Sequence, residues 1–382
     1  MTNQNGKNIV ICLDGTGIQF RENNSNIVRL YSLLEKDSES QLAYYDPGVG
    51  TLGDPNFKTP IGKNITRFLG LAFGRGIIQN IEEAYSYLME HYNNGDHIFI
   101  FGFSRGAYTA RALAGFVHSF GLLDSGCQNL IPYAMKLYRS EPNDQKKKDL
   151  MKRFKQTYSR ECRIHFLGLW DCVKSFGWIY NPIFLPHTTD NESVDIVRHA
   201  ISIDERRNFF QPMLSGNRQS SSQDIKQVWF AGVHGDVGGG FDENESGLAK
   251  IALEWMIEEA LTCQHDLRIN EDQYRIFREN INKDIPTAKL HNSLIGTWWL
   301  IQYLPRIIWD LNDEEEKKVL KFPQKCRTVP SGSTLHSSVW EKLIAGNYQP
   351  KSLELSSYDP NLIEKAISER NYSFEPPLST DD

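Results

Sequence analysis

Residues Asp96-His-Ile-Phe-Ile-Phe101 run straight into Gly102-Phe-Ser104-Arg-Gly106, and the helix-forming, small-residue stretch Ala107–Phe120 follows. This strand, turn and helix constrain the fold of the 382-residue chain more than any other feature. A strand apolar at consecutive positions is buried on both faces, as in a parallel sheet covered by helices. The two glycines permit a cramped turn that puts the serine at the helix N-terminus. A serine is a poor nucleophile until a base and backbone donors surround it, and this turn presents its hydroxyl to both.

The same grammar recurs along the chain. Lys7–Asp14 is an apolar strand closed by Gly15-Thr16-Gly17. Asn24–Leu34 has helical spacing with Asn24 or Ser25 as N-cap, and Gln41–Tyr45 is a short strand stopped by Asp46-Pro47-Gly48. Residues 49–76 read as a surface excursion and Ile77–Tyr92 as a helix. Arg163–Trp170 and Gln227–Val233 are further strands, and Leu248–Leu261 is a helix. Strands alternating with helices predict an α/β fold of the α/β-hydrolase type, a mostly parallel central sheet flanked by helices. Helical insertions are expected at about 49–76, 124–160 and 174–225, and beyond about residue 270 the pattern predicts helices and loops. Residues 1–350 then form one catalytic domain, 351–382 a C-terminal extension, and Glu369–Asp382 a frayed tail.

An activated serine requires a base and a group that orients it. Of the histidines weighed, only His234 stands past the C-terminal end of a predicted sheet strand, where catalytic groups of open α/β sheets collect. The glycine-rich run Gly235-Asp236-Val-Gly238-Gly-Gly240 holds its loop close to a neighbour. Asp171 ends Phe166-Leu-Gly-Leu-Trp170 in the same way, so chain order is nucleophile, acid, base. The Arg105 amide, with Gly15 and Thr16, is the expected oxyanion hole. An alternative pair takes Asp236 as the acid and His336 as the base.

Other classes find less support. A net charge of −6 offers no concentrated basic face for nucleic acid. Six scattered cysteines, with no C-x-x-C pair, match neither a metal site nor a disulfide framework and read as buried free thiols. The glycine run fits no phosphate-binding motif. Lys146-Lys147-Lys148 reads as a solvated helix face. The aromatic stretch Trp298–Trp309 reads as core, or as an acyl-pocket wall or lipid-touching surface that would give peripheral membrane contact. A polar N-terminus without signal-peptide features, and no run of the ~20 apolar residues a membrane span needs, predict a soluble chain made in the cytoplasm, leaving signal-independent export open. No oligomeric state follows.

Taken together, the motifs Val10–Thr16, Phe101–Ala107, Gly168–Val173, His199–Arg207, Trp229–Gly240 and Leu335–Val339 resemble the catalytic domain of type VI secretion phospholipase effectors, an α/β-hydrolase family formerly of unknown function. The resemblance runs in consistent order from about residue 7 to about 350. It implies a triad falling on Ser104, Asp171 and His234, and activity on phospholipids or other lipid esters; the mechanism read from these residues needs no metal or organic cofactor. Two other readings stay open at this point. One is a metal-dependent phosphoesterase using Asp14, Asp171, His234 and Asp236; the other is a catalytically silent interaction module.

Overall fold

The computed structural model describes residues 6–15, 23–48, 73–139, 145–173, 185–216, 223–281, 285–295, 306–310, 317–321 and 327–353. Its strands are β1 (Asn8–Leu13), β2 (Gln41–Asp46), β3 (His97–Phe103), β4 (Leu122–Leu123), β5 (Ser159–Arg160) and β6 (Ile164–Trp170). They continue with β7 (Val194–Ser202), β8 (Asp224–Phe230), β9 (Arg306–Asp310), β10 (Lys317–Lys321) and β11 (Thr334–Leu335). Seven of them form one sheet in the order β11-β8-β7-β6-β3-β1-β2. Every neighbouring pair in it is parallel.

The apolar runs resolve into two cores by the period-2 alternation of a strand. Ile9, Ile11, Leu13, Ile98 and Ile100 face one side, beneath the helices Phe73–His91, Arg105–Phe120 and Ile131–Tyr138. Val10, Cys12, Phe99, Phe101, Phe103, Phe166 and Trp170 face the other. That face is covered by Asn26–Leu33 and by Gly247–Leu261, which is buried on nearly every side. Ser25 is the N-cap of the first of these helices, its hydroxyl accepting from the Val28 amide. A third cluster, with Trp229, Val339 and Trp340, closes the β11 edge.

Three expectations need correction. The stretch 174–225, read as an insertion, contains β7, a strand between β6 and β8. The part beyond residue 270 is not purely helical, because β11 extends the central sheet and β9 pairs with β10 as a separate antiparallel ladder. The five described cysteines are free, but Cys127, Cys162 and Cys263 are only half-buried. Residues 49–72, 298–305 and 369–382, Thr16 and Cys326 lie outside the described residues. Among the described residues no helix is long and apolar enough to cross a membrane.

Candidate active site

Ser104 follows β3 immediately and precedes the helix Arg105–Phe120. Its backbone has φ 59°, a left-handed conformation that a side-chain-bearing residue adopts only at a cost of order 1–3 kcal/mol. The flanking glycines permit that bend for steric reasons. A Cβ on Gly102 would lie 2.6 Å from the Ala107 Cα, and one on Gly106 would lie 2.2 Å from the Leu13 carbonyl oxygen. Both obstacles are backbone and cannot swing aside. Gly106→Ala is therefore expected to destabilise the fold by about 2 kcal/mol or more, read as a lower urea midpoint, and an unchanged midpoint would refute this account of the turn.

Parallel register brings the acid beside this bend. Phe103 pairs with Trp170, so Ser104 and Asp171 are each the next residue on neighbouring strands. The Ser104 amide donates to the Trp170 carbonyl at 3.0 Å. Asp171 is itself left-handed, with φ 40°, and fully buried.

His234 opens the short helix His234–Gly238, four positions after β8 ends at Phe230, a strand end earlier than the sequence predicts. Its Nδ1 lies 2.6 Å from Asp171 Oδ2. Its ring centroid is 4.7 Å from that of Phe103, the residue before Ser104, and 4.8 Å from that of Phe210. A Cβ on Gly238 would overlap the Phe103 ring, which is why the loop needs glycine to come this close. The three candidate side chains thus gather at the carboxyl end of the sheet, with Ser104 and His234 6% and 7% exposed.

The electrostatics assign the protons. Burial alone would raise the Asp171 carboxyl, but the Arg327 guanidinium and the bond from His234 outweigh it and hold the group well below the usual carboxylate range. An ionised carboxylate only accepts, so His234 Nδ1 carries the hydrogen and Nε2 keeps its lone pair. Burial lowers His234 below its ordinary value, partly offset by Asp171, so the ring is neutral near pH 7.

Residues given no role in the sequence reading complete the surroundings. Arg327 donates to both Asp171 oxygens, at 2.7 and 3.0 Å, and to the Ser202 carbonyl and hydroxyl. It also donates to the Phe210 carbonyl. Ser202 adds its amide to Asp171 Oδ1 at 2.9 Å. Glu205 accepts the His234 amide and a bidentate pair from Arg207. Burial would raise Glu205, but the Arg207 bonds bring it down to about 2. Glu205 and Arg207 lie in a motif visible in the sequence, whereas nothing local to Arg327 marks it.

The other predicted positions fall elsewhere. Asp236 does not pair with His336. Its carboxylate accepts from the Val233 amide and from the amide and Nδ1 of His291, the one histidine the sequence reading did not weigh. His336 is buried, caps the helix Ser337–Ile344 and stacks on Phe230 at 4.4 Å. The Gly15 amide is already bonded to Asp14 Oδ1 at 2.6 Å, so it is not an open oxyanion donor. Arg105 supplies the first of the amides that point out of a helix N-terminus. Asp14 also holds Ser25 and Tyr45, and burial pushes its carboxyl up to about 7. The three carboxylates and one imidazole of the metal reading are thus split among three separate networks. Among the described residues no group of three or more His, Cys, Asp or Glu is arranged to hold a metal ion.

Residues 7–259 match the family model described as "T6SS, Phospholipase effector Tle1-like, catalytic domain". The chain is 40% identical over 223 residues to the uncharacterized protein YEL023C of Saccharomyces cerevisiae, a match covering 54% of this chain and 32% of that protein. The chain therefore spans about a third of the length of that relative. Two solved structures are similar over parts of the chain. An uncharacterized protein from Pseudomonas aeruginosa aligns with TM-score 0.40 and 19% identity, over 74% of this chain and 50% of that one. The Tle1 effector, solved bound to the VgrG spike of the type VI secretion system, aligns with TM-score 0.36 and 20% identity, over 64% and 53%. The family model covers well over half of the sequence, including the bend at Ser104, the end of β6 and the His234 loop, and the chain belongs to the Tle1-like phospholipase effector catalytic domain family.

Proposed function

We propose that this chain is a serine hydrolase that cleaves carboxylic ester bonds of lipids, phospholipids among them, through an acyl-enzyme. One observation carries the reading. A serine held left-handed at the end of β3 adjoins a phenylalanine ring against which an imidazole rests, and that imidazole is bonded at 2.6 Å to a buried carboxylate. The lipid part of the reading rests on family membership.

In this mechanism Ser104 Oγ attacks the ester carbonyl while His234 Nε2 takes its proton. The carbonyl π electrons move onto oxygen, and the Arg105 amide stabilises the charge. Thr16 remains the candidate for a second donor. Collapse of the tetrahedral adduct expels the alcohol, which takes the proton back from His234. Water then attacks the acyl-Ser104, again deprotonated by His234, and releases the acid. Asp171 stays ionised throughout and stabilises the transient imidazolium.

Fluorophosphonate labelling with peptide mapping tests the nucleophile. Label is expected on the peptide containing Ser104 and absent from Ser104→Ala; label surviving that substitution overturns the assignment. The same chemistry fixes a pH dependence. The base must be neutral, and burial lowers the pKa of His234, so kcat/KM is expected to fall on the acid side with a midpoint below 6.5. Asp171 raises the His234 pKa, so Asp171→Asn is expected to move that midpoint lower still. A midpoint above 6.5 in the parent enzyme contradicts this electrostatic account.

A further inference from the structure

The helices Ile131–Tyr138 and Gln145–Tyr158 pack on the Arg105–Phe120 helix, the second near its C-terminal end, where Phe154 meets Phe120 and Lys155 donates to the His118 carbonyl. The sequence from 131 to 160 holds nine Lys or Arg against three acids, in a chain whose net charge is −6. The cations are therefore concentrated here rather than spread. Lys136, Arg139, Lys148, Lys152 and Arg153 are all exposed. Among the described residues, none of the five forms an ion pair closer than 4 Å.

A solvated charged face would need nothing more, but this one carries aromatic rings. Five large hydrophobic side chains are exposed among the described residues, and two of them, Tyr133 and Tyr158, sit here at 47% and 41% exposure. They flank the buried ring of Phe154, at centroid distances of 5.8 and 5.1 Å. Phe154 also packs edge-on against Phe120, which ties the strip to the core. The result is a continuous strip, Tyr133–Phe154–Tyr158, set among lysines and arginines. Tyrosine suits a water–lipid boundary because its ring is apolar and its tip polar. Clustered Lys and Arg are drawn to the negative potential of anionic lipid headgroups.

We propose that this two-helix face docks the protein on anionic bilayers, the tyrosines entering the headgroup region and the surrounding cations meeting lipid phosphates and carboxylates. Nucleic acid is the competing polyanion. Exposed tyrosines at the edge of a strip rooted in the core favour a lipid surface over a charged rod. Docking is a binding property of this face and stands independently of the hydrolytic reading.

The test uses the full chain carrying Ser104→Ala, which on the hydrolytic reading keeps the vesicles intact, and lipid extracted after each run is checked for cleavage. Co-sedimentation is measured with vesicles of phosphatidylcholine alone and of phosphatidylcholine with about 30 mol% phosphatidylserine. Binding is expected only to the second, and to weaken steeply between 50 and 500 mM salt, as screening predicts. Adding Lys148→Gln, Lys152→Gln and Arg153→Gln is expected to weaken it on the order of a hundredfold. Adding Tyr133→Ser and Tyr158→Ser instead is expected to weaken it about tenfold, with the salt dependence retained. All five positions are exposed, and an unchanged melting temperature shows that the variants fold. Equal binding to neutral vesicles, undiminished binding by the triple variant, or tighter binding to a homopolymeric RNA than to anionic vesicles would each overturn the proposal.

Discussion

Replacing His234 by alanine is expected to lower kcat on a soluble ester by about 10⁴-fold or more, while replacing His336 leaves it within a few-fold of the parent. The contrast follows from where the two rings sit. His234 is bonded to a buried carboxylate and rests on the ring beside Ser104. His336 spends its Nδ1 on the start of the helix it caps and stacks on Phe230. Burial pushes the His336 imidazole down to about 3, so it stays neutral at working pH, but it is committed to structure. Ser104→Ala and Asp171→Asn are each expected to cost about 10⁴-fold or more, and combining them with His234→Ala is expected to add little, because a nucleophile, its base and the base's anchor act as one unit. Steady-state kinetics on the three single variants and the triple variant checks this. Multiplicative losses, or a large loss in His336→Ala with His234→Ala nearly unaffected, would move the base to the C-terminal part of the chain.

Ser104 and Asp171 are legible because each directly follows a strand that reveals itself. β3 and β6 are largely apolar runs, buried on both sides, and the residue that ends such a run lies at the carboxyl edge of the sheet by geometry alone. β7 hid for the opposite reason. Its sequence, Val194-Asp-Ile-Val-Arg-His-Ala-Ile-Ser202, is broken by Asp195, Arg198 and His199. Arg198 nonetheless lies 4% exposed inside the fold, because Glu259 and Asp224 neutralise it. That pairing links residues 61 and 26 positions apart and leaves no local trace. β11 escaped because two residues are too few to show a period. His291 and Arg327 were illegible on the same principle, since the partners that define them, Asp236 and Asp171, are 55 and 156 residues away. A turn after a strand exposes amides in general, so the sequence predicts an open Gly15 amide; in the fold the Asp14 carboxylate occupies it.

Arg327→Met is expected to destabilise the fold by about 3–5 kcal/mol, the range for stripping one partner from a buried ion pair. The Arg327 side chain is fully buried, as is that of Asp171, so neither charge has water to fall back on. Removing the guanidinium leaves the Phe210 carbonyl without its Arg327 bonds, and among the described residues Asp171 keeps Ser202 and His234 as donors. Lysine in its place restores the charge but not the fork that reaches both carboxylate oxygens, so Arg327→Lys is expected to recover only part of the loss. The pH dependence separates this pair from simple packing. A carboxyl whose folded pKa is depressed contributes stability that is present above its unfolded value and is lost as pH falls through the folded one. With Arg327 in place the folded value of Asp171 lies well below the ordinary range, so its contribution outlasts moderate acid. Without Arg327, burial is opposed only by the bonds from Ser202 and His234, so the folded value rises, and the buried charge that weakens the variant at pH 7 is relieved by protonation as the pH falls. Urea unfolding from pH 7 to pH 4 is therefore expected to show the gap between parent and Arg327→Met narrowing as the pH falls. In Asp171→Asn, which cannot titrate, the effect of Arg327→Met is expected to be smaller by about 1–3 kcal/mol and free of that pH trend. A loss below about 1 kcal/mol, or an equal loss in both backgrounds, would mean that Arg327 fills space beside the candidate acid without holding its charge.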